Sequence, residues 1–522
     1  MGKVTKLDLF FGGLLVGFSI YFVIWGFGFI QGGNKTIFIL SALFGIFMAF
    51  NIGGNDVANS FGTSVGAKTL SLRQALCVAA IFEVSGAVLA GADVTETIKS
   101  GIIDLNGINL SPFDFIFIMM SSLISAGLWI LFATKKGLPV STTHAIIGGI
   151  VGAGMTLGVI LNNPEITPAS LVKWSKIWEI VLSWITSPLL GGIVSFLVYG
   201  AIKKYILDYN EKAQKKINEL KVEKKAYKKA YKLKFEKLSE NEKININQTM
   251  LQDFDLISQN DNYDANEIES EYYKKMNEIS KKQDELKTHK ALENWVPAVA
   301  ALGSIVIASM LLFKGLKNLH LSLSTLQTGL SVAMCGAVIW MATYILAKTL
   351  RSKDLSKSTF LMFSWLQVFT ASGFAFSHGS NDIANAVGPF AAIIDVLATG
   401  EINAKAAVEI PIMVTFGVAL IVGLWFVGKE VIATVGTNLT KIHPASGFSA
   451  ELSAASVVML ASMLGIPVSS THILIGAVLG IGVVNKNANW GLMKPILLAW
   501  IITIPAAAVL SSVGFMIFRN LF

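Results

Sequence analysis

Hydrophobic stretches separated by short polar ones run along most of the 522-residue chain. A helix needs about 20 mainly apolar residues to cross the hydrocarbon core of a bilayer. The stretches that reach or approach this length number 12 or 13 and lie near residues 9–30, 36–52, 71–92, 112–133, 138–162, 177–202, 294–314, 322–347, 359–380, 406–427, 451–484 (long enough for two) and 494–518. The pattern predicts an all-α integral membrane protein with 12–13 hydrophobic segments.

Two short polar strings interrupt this apolar chain, and each of them occurs twice. The string Asn-Asp-Val-Ala-Asn at Asn55–Asn59 recurs with one change at Asn381–Asn385, and Pro-Val-Ser-Thr-Thr-His at Pro139–His144 recurs with one change at Pro467–His472. The same two strings in the same order indicate an internal repeat. Because the repeated residues are mostly polar, the repeat indicates a duplicated site rather than a packing surface.

A block of charge separates the two halves of the chain. Residues 203–243 carry 14 lysines against 7 acidic residues. Such a block is typical of a solvated helical or disordered insertion and not of a nucleic-acid surface, and attraction of lysines near the membrane to anionic lipid is the alternative. We therefore divide the chain into an N-terminal transmembrane repeat (1–202), a charged insertion (203–293) and a C-terminal transmembrane repeat (294–522).

Lysines beside the hydrophobic segments predict how the chain is oriented. Lys203, Lys204 and Lys212 follow a segment and place the insertion in the cytoplasm by the positive-inside rule. Counting back six segments places the N-terminus there too, and it puts Lys135 and Lys136 on the same side. An odd number of segments separates the two Asn-Asp strings, which predicts two inverted repeats with broken or re-entrant helices.

The Asn-Asp strings have the side chains of a cation site. Asp56 and Asp382 lie at the ends of apolar segments, where a carboxylate is costly unless a cation or hydrogen-bond donors compensate it. On a helix, Asn59 and Asn385 lie on the same face as these carboxylates, three residues further on. A carboxylate with amide oxygens suits a hard cation such as Na⁺. A helix cap explains one such string, but two copies at apolar boundaries favour cation sites.

The Pro-Val-Ser strings have the features of an anion site. Proline followed by hydroxyl residues is typical of a helix start. A helix N-terminus within a membrane offers unpaired backbone N–H groups and the positive end of its dipole to an anion. The strings therefore predict a site for a small oxyanion. The hydroxyl donors at these two helix starts are Ser141, Thr142, Thr143, Ser469, Ser470 and Thr471.

Five further polar residues within apolar segments are candidates for supporting roles. Glu83 and Glu451 are functional candidates because an unpaired carboxylate in lipid is costly. Gln367 is a further candidate donor to an anion. His144 and His472 occupy matching positions, and such histidines more often support a site through hydrogen bonds than act as ligands or proton carriers.

At these residues the chain resembles the inorganic phosphate transporter (PiT) family. Both paired strings of that family are present, the first as Gly54–Asn59 and Ser380–Asn385. The flanking residues Ser60–Thr63, Leu72–Ala75 and Gly388–Pro389 fit the family as well. The likeness covers about residues 36–202 and 294–518, which is nearly all of the hydrophobic chain.

The resemblance implies secondary active transport of phosphate through one central site that both repeats form. It also implies that Glu83 and Glu451 match acidic positions that matter in the family. Taken with the residue patterns, it assigns phosphate binding to Asn55, Asn59, Ser141, Thr142, Thr143, Gln367, Asn381, Asn385, Ser469, Ser470 and Thr471. It assigns Na⁺ binding to Asp56, Asn59, Asp382, Asn385, Thr142 and Ser470.

We expect a phosphate importer of the plasma (inner) membrane that uses Na⁺ as coupling ion, with no cofactor and no enzymatic activity. A homodimer is left open. The alternatives on the same fold are H⁺-coupled transport of phosphate or metal-phosphate, and sulfate transport. An intramembrane hydrolase is a weaker alternative, because Ser141 and His144 occur in duplicate and no Gly-x-Ser-x-Gly string is present. A receptor or scaffold that transports nothing is the last alternative.

Overall fold

The computed structural model describes residues 4–28, 30, 34–103, 111–161, 167–259, 266–286, 289–315, 324–351, 354–402 and 408–522. Within these residues the chain is helical, apart from one isolated β-bridge between Ile103 and Val172. Twelve helical stretches of the described chain are long and apolar enough to cross a membrane. The predicted all-α membrane fold is therefore confirmed.

The helices of the N-terminal part and of the charged insertion follow the predicted segments closely. The N-terminal helices are α1 (Lys6–Gly26), α2 (Lys35–Ile52), α3 (Ala58–Gly66), α4 (Leu72–Ala90), α5 (Ala92–Ser100), α6 (Pro112–Lys135), α7 (Thr142–Leu161) and α8 (Trp174–Ile202). The insertion contains α9 (Asp208–Glu236), α10 (Glu240–Gln259) and α11 (Glu271–Glu285).

The C-terminal part repeats the alternation of long and short helices. Its helices are α12 (Lys290–Met310), α13 (Thr325–Thr349), α14 (Leu355–Asp382), α15 (Ala384–Thr399), α16 (Ile410–Val427), α17 (Lys429–Ala433), α18 (Pro444–Met463), α19 (Ser470–Asn485) and α20 (Trp490–Leu521). Single π-helical turns occur at Gly53–Val57, Lys203–Leu207, Leu311–Gly315 and Thr434–Asn438. The long segment 451–484 is therefore two helices, α18 and α19.

The chain forms two compact units. The first consists of Met1–Gly200, Ala300–Ile339 and Phe363–Phe522, and the second of Ala201–Val299 and Trp340–Met362. Both pairs of polar strings belong to the first unit. In the second unit, α9 and α11 pack through tyrosine rings, with Tyr231 and Tyr272 centroids 5.0 Å apart.

The helices that precede the two Pro-Val-Ser strings end in the same way. After α6, Gly137 has φ = 66°, and after α18, Gly465 has φ = 67°. The next residue in each case, Leu138 or Ile466, donates its N–H to the carbonyl five residues earlier at 3.0 Å. This is the Schellman arrangement, which places glycine in the left-handed region and reverses the chain. It sends each chain directly into its Pro-Val-Ser string.

Close helix crossings also occur in matching pairs. A Cβ placed on Gly53, the residue directly after α2, would lie 1.7 Å from the carbonyl oxygen of Leu420 in α16. A Cβ placed on Gly423 of α16 would lie 1.8 Å from the carbonyl oxygen of Phe50 in α2. Such crossings need glycine because the backbones approach closely. At the corresponding crossing of α4 with α14, a Cβ placed on Gly379 would lie 2.1 Å from the carbonyl oxygen of Glu83. A Cβ placed on Gly86 would lie 2.0 Å from the carbonyl oxygen of Phe376. The two halves thus repeat in structure as well as in sequence.

The first Asn-Asp string differs from the sequence-based expectation of a broken helix. The chain continues from α2 to α3 through the π-helical turn Gly53–Val57. In the second copy, only Ile383 separates α14 from α15. A π turn widens the helix by one residue without ending it, and such turns are frequent at functional sites. The widened turn gives Asp56 its position without a gap in the membrane span.

Candidate functional site

Asn55 and Asn381 hold the Pro-Val-Ser strings in place. The Asn55 side chain donates to Thr134 Oγ1 at 2.9 Å and to the carbonyl of Leu138 at 3.1 Å, and it accepts from the N–H of Val140 at 2.9 Å. Asn381 makes the matching three bonds, to Ser462 Oγ at 3.1 Å, the carbonyl of Ile466 at 3.4 Å and the N–H of Val468 at 3.3 Å. Because both amide donors and the carbonyl oxygen are engaged, these contacts give the two residues a positioning role, and the phosphate contacts expected for them stay a prediction.

Asp56 lies at the meeting point of the two halves. Its carboxylate accepts a hydrogen bond from Thr142 of its own half and another, at 2.9 Å, from Thr471 of the other half. Asp382 accepts from Ser470, which is the counterpart of Thr142. Asp56, His378 and Asp382 each offer one ligand atom within 4.8 Å of the others. The two halves therefore build one site.

Several buried polar atoms of the two Asn-Asp strings have no protein partner. Within the described residues, Oδ1 of Asp382, Oδ1 of Asn385 and both side-chain polar atoms of Asn59 make no hydrogen bond. The Asn385 amide does donate to Thr142 at 3.0 Å and to Thr143 at 3.1 Å. Leaving such atoms unpaired in a buried place costs about 1–3 kcal/mol each. Their oxygens suit a cation, and the Asn59 amide suits an anion.

The N-termini of α7 and α19 are capped by the first serine of each string. Ser141 accepts the backbone N–H of His144 at 3.1 Å, and Ser469 accepts that of His472 at 3.2 Å. An N-cap hydroxyl keeps its own hydrogen for another acceptor. The first backbone N–H groups of a helix also have no partner within the helix. Both helix starts can therefore donate to an oxyanion.

Two buried carboxylates in such proximity require compensation. Charges about 5 Å apart repel by about 3 kcal/mol at an effective dielectric constant of about 20. A cation between Asp56 and Asp382 would remove this repulsion, and it would give the unpaired Oδ1 of Asp382 a partner. The arrangement can therefore hold small hard cations next to an oxyanion.

The chain is similar to known phosphate transporters over nearly its whole length. Residues 52–511 match the family described as "Phosphate transporter family". The chain belongs to the phosphate transporter family. It is 58% identical to a predicted phosphate permease of Mycobacterium bovis over 523 aligned positions, covering 100% of this chain and 94% of the relative. It is 31% identical to the chloroplastic inorganic phosphate transporter 2-1 of Arabidopsis thaliana, covering 94% of this chain and 73% of the relative.

A solved structure shares the fold of this transporter. It is named "The sodium-dependent phosphate transporter" and superposes with a TM-score of 0.70 at 28% sequence identity. The match covers 93% of this chain and 100% of that chain. Family membership and the twelve candidate spans make the chain an integral membrane phosphate transporter, a class whose members move phosphate rather than catalyse reactions.

The transporter has a site residue that the sequence patterns missed, His378. Its Nε2 is 2.8 Å from Oδ2 of Asp382, and its Nδ1 is 2.7 Å from Oε2 of Glu83. All three side chains are buried. One signal in the sequence could have found it, because a residue four positions before Asp382 lies on the same face of its helix. Glu83 thus belongs to the central site through this histidine.

Gln367 lies in a separate cluster of the transporter around Glu451. The Glu451 carboxylate accepts hydrogen bonds from Gln367 at 3.0 Å and from Thr370 at 2.9 Å. Thr63 and Ser64 also donate to it, at 2.7 and 2.5 Å. The described contacts do not bring Gln367 to the Asp56 site. Its amide supports a carboxylate, and the contact with phosphate expected for it stays a prediction.

The paired histidines of the transporter meet each other. The rings of His144 and His472 have centroids 4.5 Å apart, and each packs on a tryptophan, Trp184 at 3.7 Å and Trp500 at 3.6 Å. Both histidines are buried. This packing at the starts of α7 and α19 suits a supporting role, which stays a prediction.

Proposed function

We propose that the transporter imports phosphate together with Na⁺ through the central site between the two halves. The observation that carries the proposal is the proximity of the Asp56 and Asp382 carboxylates, together with unpaired buried oxygens in the same two Asn-Asp strings. Carboxylate and amide oxygens are the ligands that hard cations prefer. Two Na⁺ ions would offset the two carboxylate charges, so that phosphate enters a site without net negative charge.

Phosphate would bind at the starts of α7 and α19. Ser141 and Ser469 can donate their hydroxyl hydrogens, and the Asn59 amide has no acceptor among the described residues. Backbone N–H groups at the helix starts and the positive ends of both dipoles add to these donors. Because the site contains no lysine or arginine within these contacts, the cations supply the positive charge. Phosphate and Na⁺ therefore stabilise each other.

Coupling to Na⁺ has an energetic reason. A membrane potential that is negative inside opposes anion entry by about 2.3 kcal/mol per charge per 100 mV. Two accompanying Na⁺ ions would make entry of a phosphate with one or two charges electrically favourable or neutral. A site that held phosphate without Na⁺ would carry the buried charges of both carboxylates and of the anion, which disfavours the conformational change. Phosphate would then not cross the membrane without Na⁺.

The matching halves support alternating access by inverted repeats. Their helix ends and glycine crossings correspond one to one, and repeats of this kind place the substrate site at their interface. We place the N-terminus and residues 203–293 in the cytoplasm, and the protein in the plasma (inner) membrane, on the lysine pattern beside the spans.

We expect purified transporter in liposomes to accumulate radiolabelled phosphate when Na⁺ is imposed outside. Uptake should fall to background when K⁺ replaces Na⁺, because the carboxylates then lack their cations. The measurement is initial uptake at equal pH on both sides of the membrane. Excess unlabelled sulfate should leave uptake unchanged and excess phosphate should abolish it.

H⁺ coupling is the second candidate, and His378 is the observation that favours it. An imidazole between two carboxylates can hold a proton in place of a cation. Uptake driven by an inward pH gradient without Na⁺ would establish this candidate and contradict Na⁺ coupling. The same liposomes serve both measurements.

Replacing Asn59 with Leu is expected to weaken phosphate uptake without unfolding the protein. No described residue hydrogen-bonds to the Asn59 side chain, so the substitution removes no bond within the protein. It removes a cation ligand and an anion donor, and we expect the KM for phosphate or Na⁺ to rise about tenfold or more. Uptake kinetics and the melting temperature check this.

Asn55→Leu provides the matched control for this prediction. The same substitution four residues earlier removes three hydrogen bonds within the protein. We expect it to lower the melting temperature, whereas Asn59→Leu should retain or raise that temperature, because it removes two unpaired buried atoms. Normal kinetics in Asn59→Leu would contradict the assignment of Asn59 to the site.

A further inference from the structure

The central site is closed on all sides. The carboxylates, amides and hydroxyls that form it are at most 2% exposed. Phosphate therefore cannot enter or leave without movement of a nearby element. The candidates are two elements that hydrogen-bond to the turns before the Pro-Val-Ser strings. Each half has one, and we call them the covering elements.

The first covering element is α5. Thr97 of α5 donates to the carbonyl of Gly465 at 2.8 Å, which ties it to the turn before the second Pro-Val-Ser string. The same helix packs on α15, which follows the second Asn-Asp string. A Cβ placed on Gly388 of α15 would lie 3.0 Å from the Ile98 Cβ. One short helix thus joins both parts of the Asp382 half-site.

The second covering element consists of α17 and the π turn after it (residues 429–438, the α17 segment). Thr434 donates to the carbonyl of Gly137 at 2.8 Å, which is the counterpart of the bond between Thr97 and Gly465. The segment packs on α3 through glycine, since a Cβ on Gly66 would lie 2.0 Å from the carbonyl oxygen of Gly436. The two elements are therefore equivalent in position.

The contacts that hold α5 and the α17 segment to their neighbouring helices differ in one respect. Lys99 of α5 forms an ion pair with Asp395 of α15, with Nζ 3.3 Å from Oδ2 and side chains only 3% and 11% exposed. Lys99 lies two residues after Thr97, and the residue two after Thr434 is Gly436. The α17 segment therefore has a backbone contact where α5 has a buried ion pair. The central site does not use either charge.

We propose that α5 and the α17 segment are the two gates of the transporter, and that the Lys99–Asp395 ion pair holds the first gate closed. Opening of α5 separates this pair and releases the Gly465 turn together with α15. At each cycle water must solvate the separated Lys99 and Asp395 side chains, and the ion pair must form again on closing. The strength of the ion pair therefore sets how often the first gate opens. The inference rests on the proposed alternating access at the central site.

The test labels a buried position of the first gate itself. Thr95 of α5 is 1% exposed, and Thr95→Cys is introduced into a chain whose native Cys77 and Cys335 are replaced by serine. A membrane-impermeant thiol reagent is applied from either side of the liposomes. We expect Lys99→Met to raise the labelling rate about tenfold, since loss of one partner leaves a buried carboxylate unpaired. The exchanged pair Lys99→Asp with Asp395→Lys should restore slow labelling.

Arg519→Met is the matched control. It breaks another ion pair of the same unit, between Arg519 and Asp114 at 2.9 Å, and no contact given for the described residues joins this pair to either gate. It should leave labelling of Thr95→Cys unchanged. Equal labelling in Lys99→Met and its parent overturns the proposal, as does a rise of the same size in Arg519→Met.

A second measurement keeps the native ion pair. Ile98→Cys with Gly388→Cys brings two Cβ atoms close to the separation of about 3.8 Å that a disulfide needs. Oxidation should abolish phosphate uptake and reduction should restore it, whether a Na⁺ or a pH gradient drives uptake. Persistent uptake with the cross-link formed overturns the proposal. Because labelling requires no uptake and both gradients are tried, failure of Na⁺ coupling is distinguished from failure of the gate.

Discussion

Asp56→Asn is expected to abolish Na⁺-driven phosphate uptake in liposomes. The substitution keeps the size of the side chain and a hydrogen-bond acceptor for Thr142 and Thr471, but it removes a charge from the fully buried site that we propose for a cation. Loss of such a charge costs about 3 kcal/mol, and initial uptake should fall about 100-fold or more. Asp382→Asn should have the same effect, because both carboxylates belong to one site.

Asp114→Asn is the control for the loss of charge alone. Asp114 is a buried carboxylate of the same unit that pairs with Arg519 and contacts none of the site residues in the described chain. Uptake should stay within about twofold of the parent, the range expected when a pair with a partly exposed partner is lost. If Asp56→Asn transports as Asp114→Asn does, Asp56 is not a cation ligand.

The fold was largely predictable because its signals are local in the sequence. Hydrophobic length predicts membrane spans, and the duplicated strings predict matching halves. The π turn at Gly53–Val57 was not predictable in this way, because its glycine is required by Leu420 of a helix that lies far along the chain. The sequence predicted broken or re-entrant helices, whereas the helix here continues through the π turn and packs against α16.

The site was predictable as a set of residue types but not as a set of roles. Asn55 and Asn59 stand four residues apart in one string, and nothing in the string tells which of them binds a ligand. The roles separate only when the turn after α6 folds back, so that Leu138 and Val140 engage the Asn55 amide. Sequence distance between contacting groups therefore limits prediction here.

Distant contacts also limited the prediction for His378, which the sequence left without a role, and for Gln367, to which the sequence assigned one. His378 received no role from the sequence, since its spacing from Asp382 is only a weak local signal and its other partner, Glu83, is 295 residues away. Gln367 received a role as phosphate donor, although its amide is engaged by Glu451, 84 residues further on. In both cases a carboxylate on another helix decides what the side chain does.

The glycine crossing of α2 with α16 predicts a second large effect. Gly53→Ala should prevent normal assembly of the membrane domain, because its Cβ would lie 1.7 Å from the carbonyl oxygen of Leu420. This neighbour is backbone and cannot turn aside, so the two helices must separate. We expect a loss of about 3 kcal/mol or more in stability, at the upper end for overpacked positions. Gly423→Ala, the reciprocal position of the crossing, should act alike.

Gly12→Ala is the matched control for this crossing. A Cβ on Gly12 of α1 would meet no heavy atom within 4 Å, and alanine favours a helix over glycine by about 1 kcal/mol. This variant should retain or slightly raise the melting temperature. Detergent-solubilised yield, monodispersity on size exclusion and the melting temperature compare the three variants. A monodisperse Gly53→Ala protein with unchanged melting temperature would show that α2 and α16 do not cross at this distance, and the proposed cation site, which includes Asp56 of the same turn, would then need a different geometry.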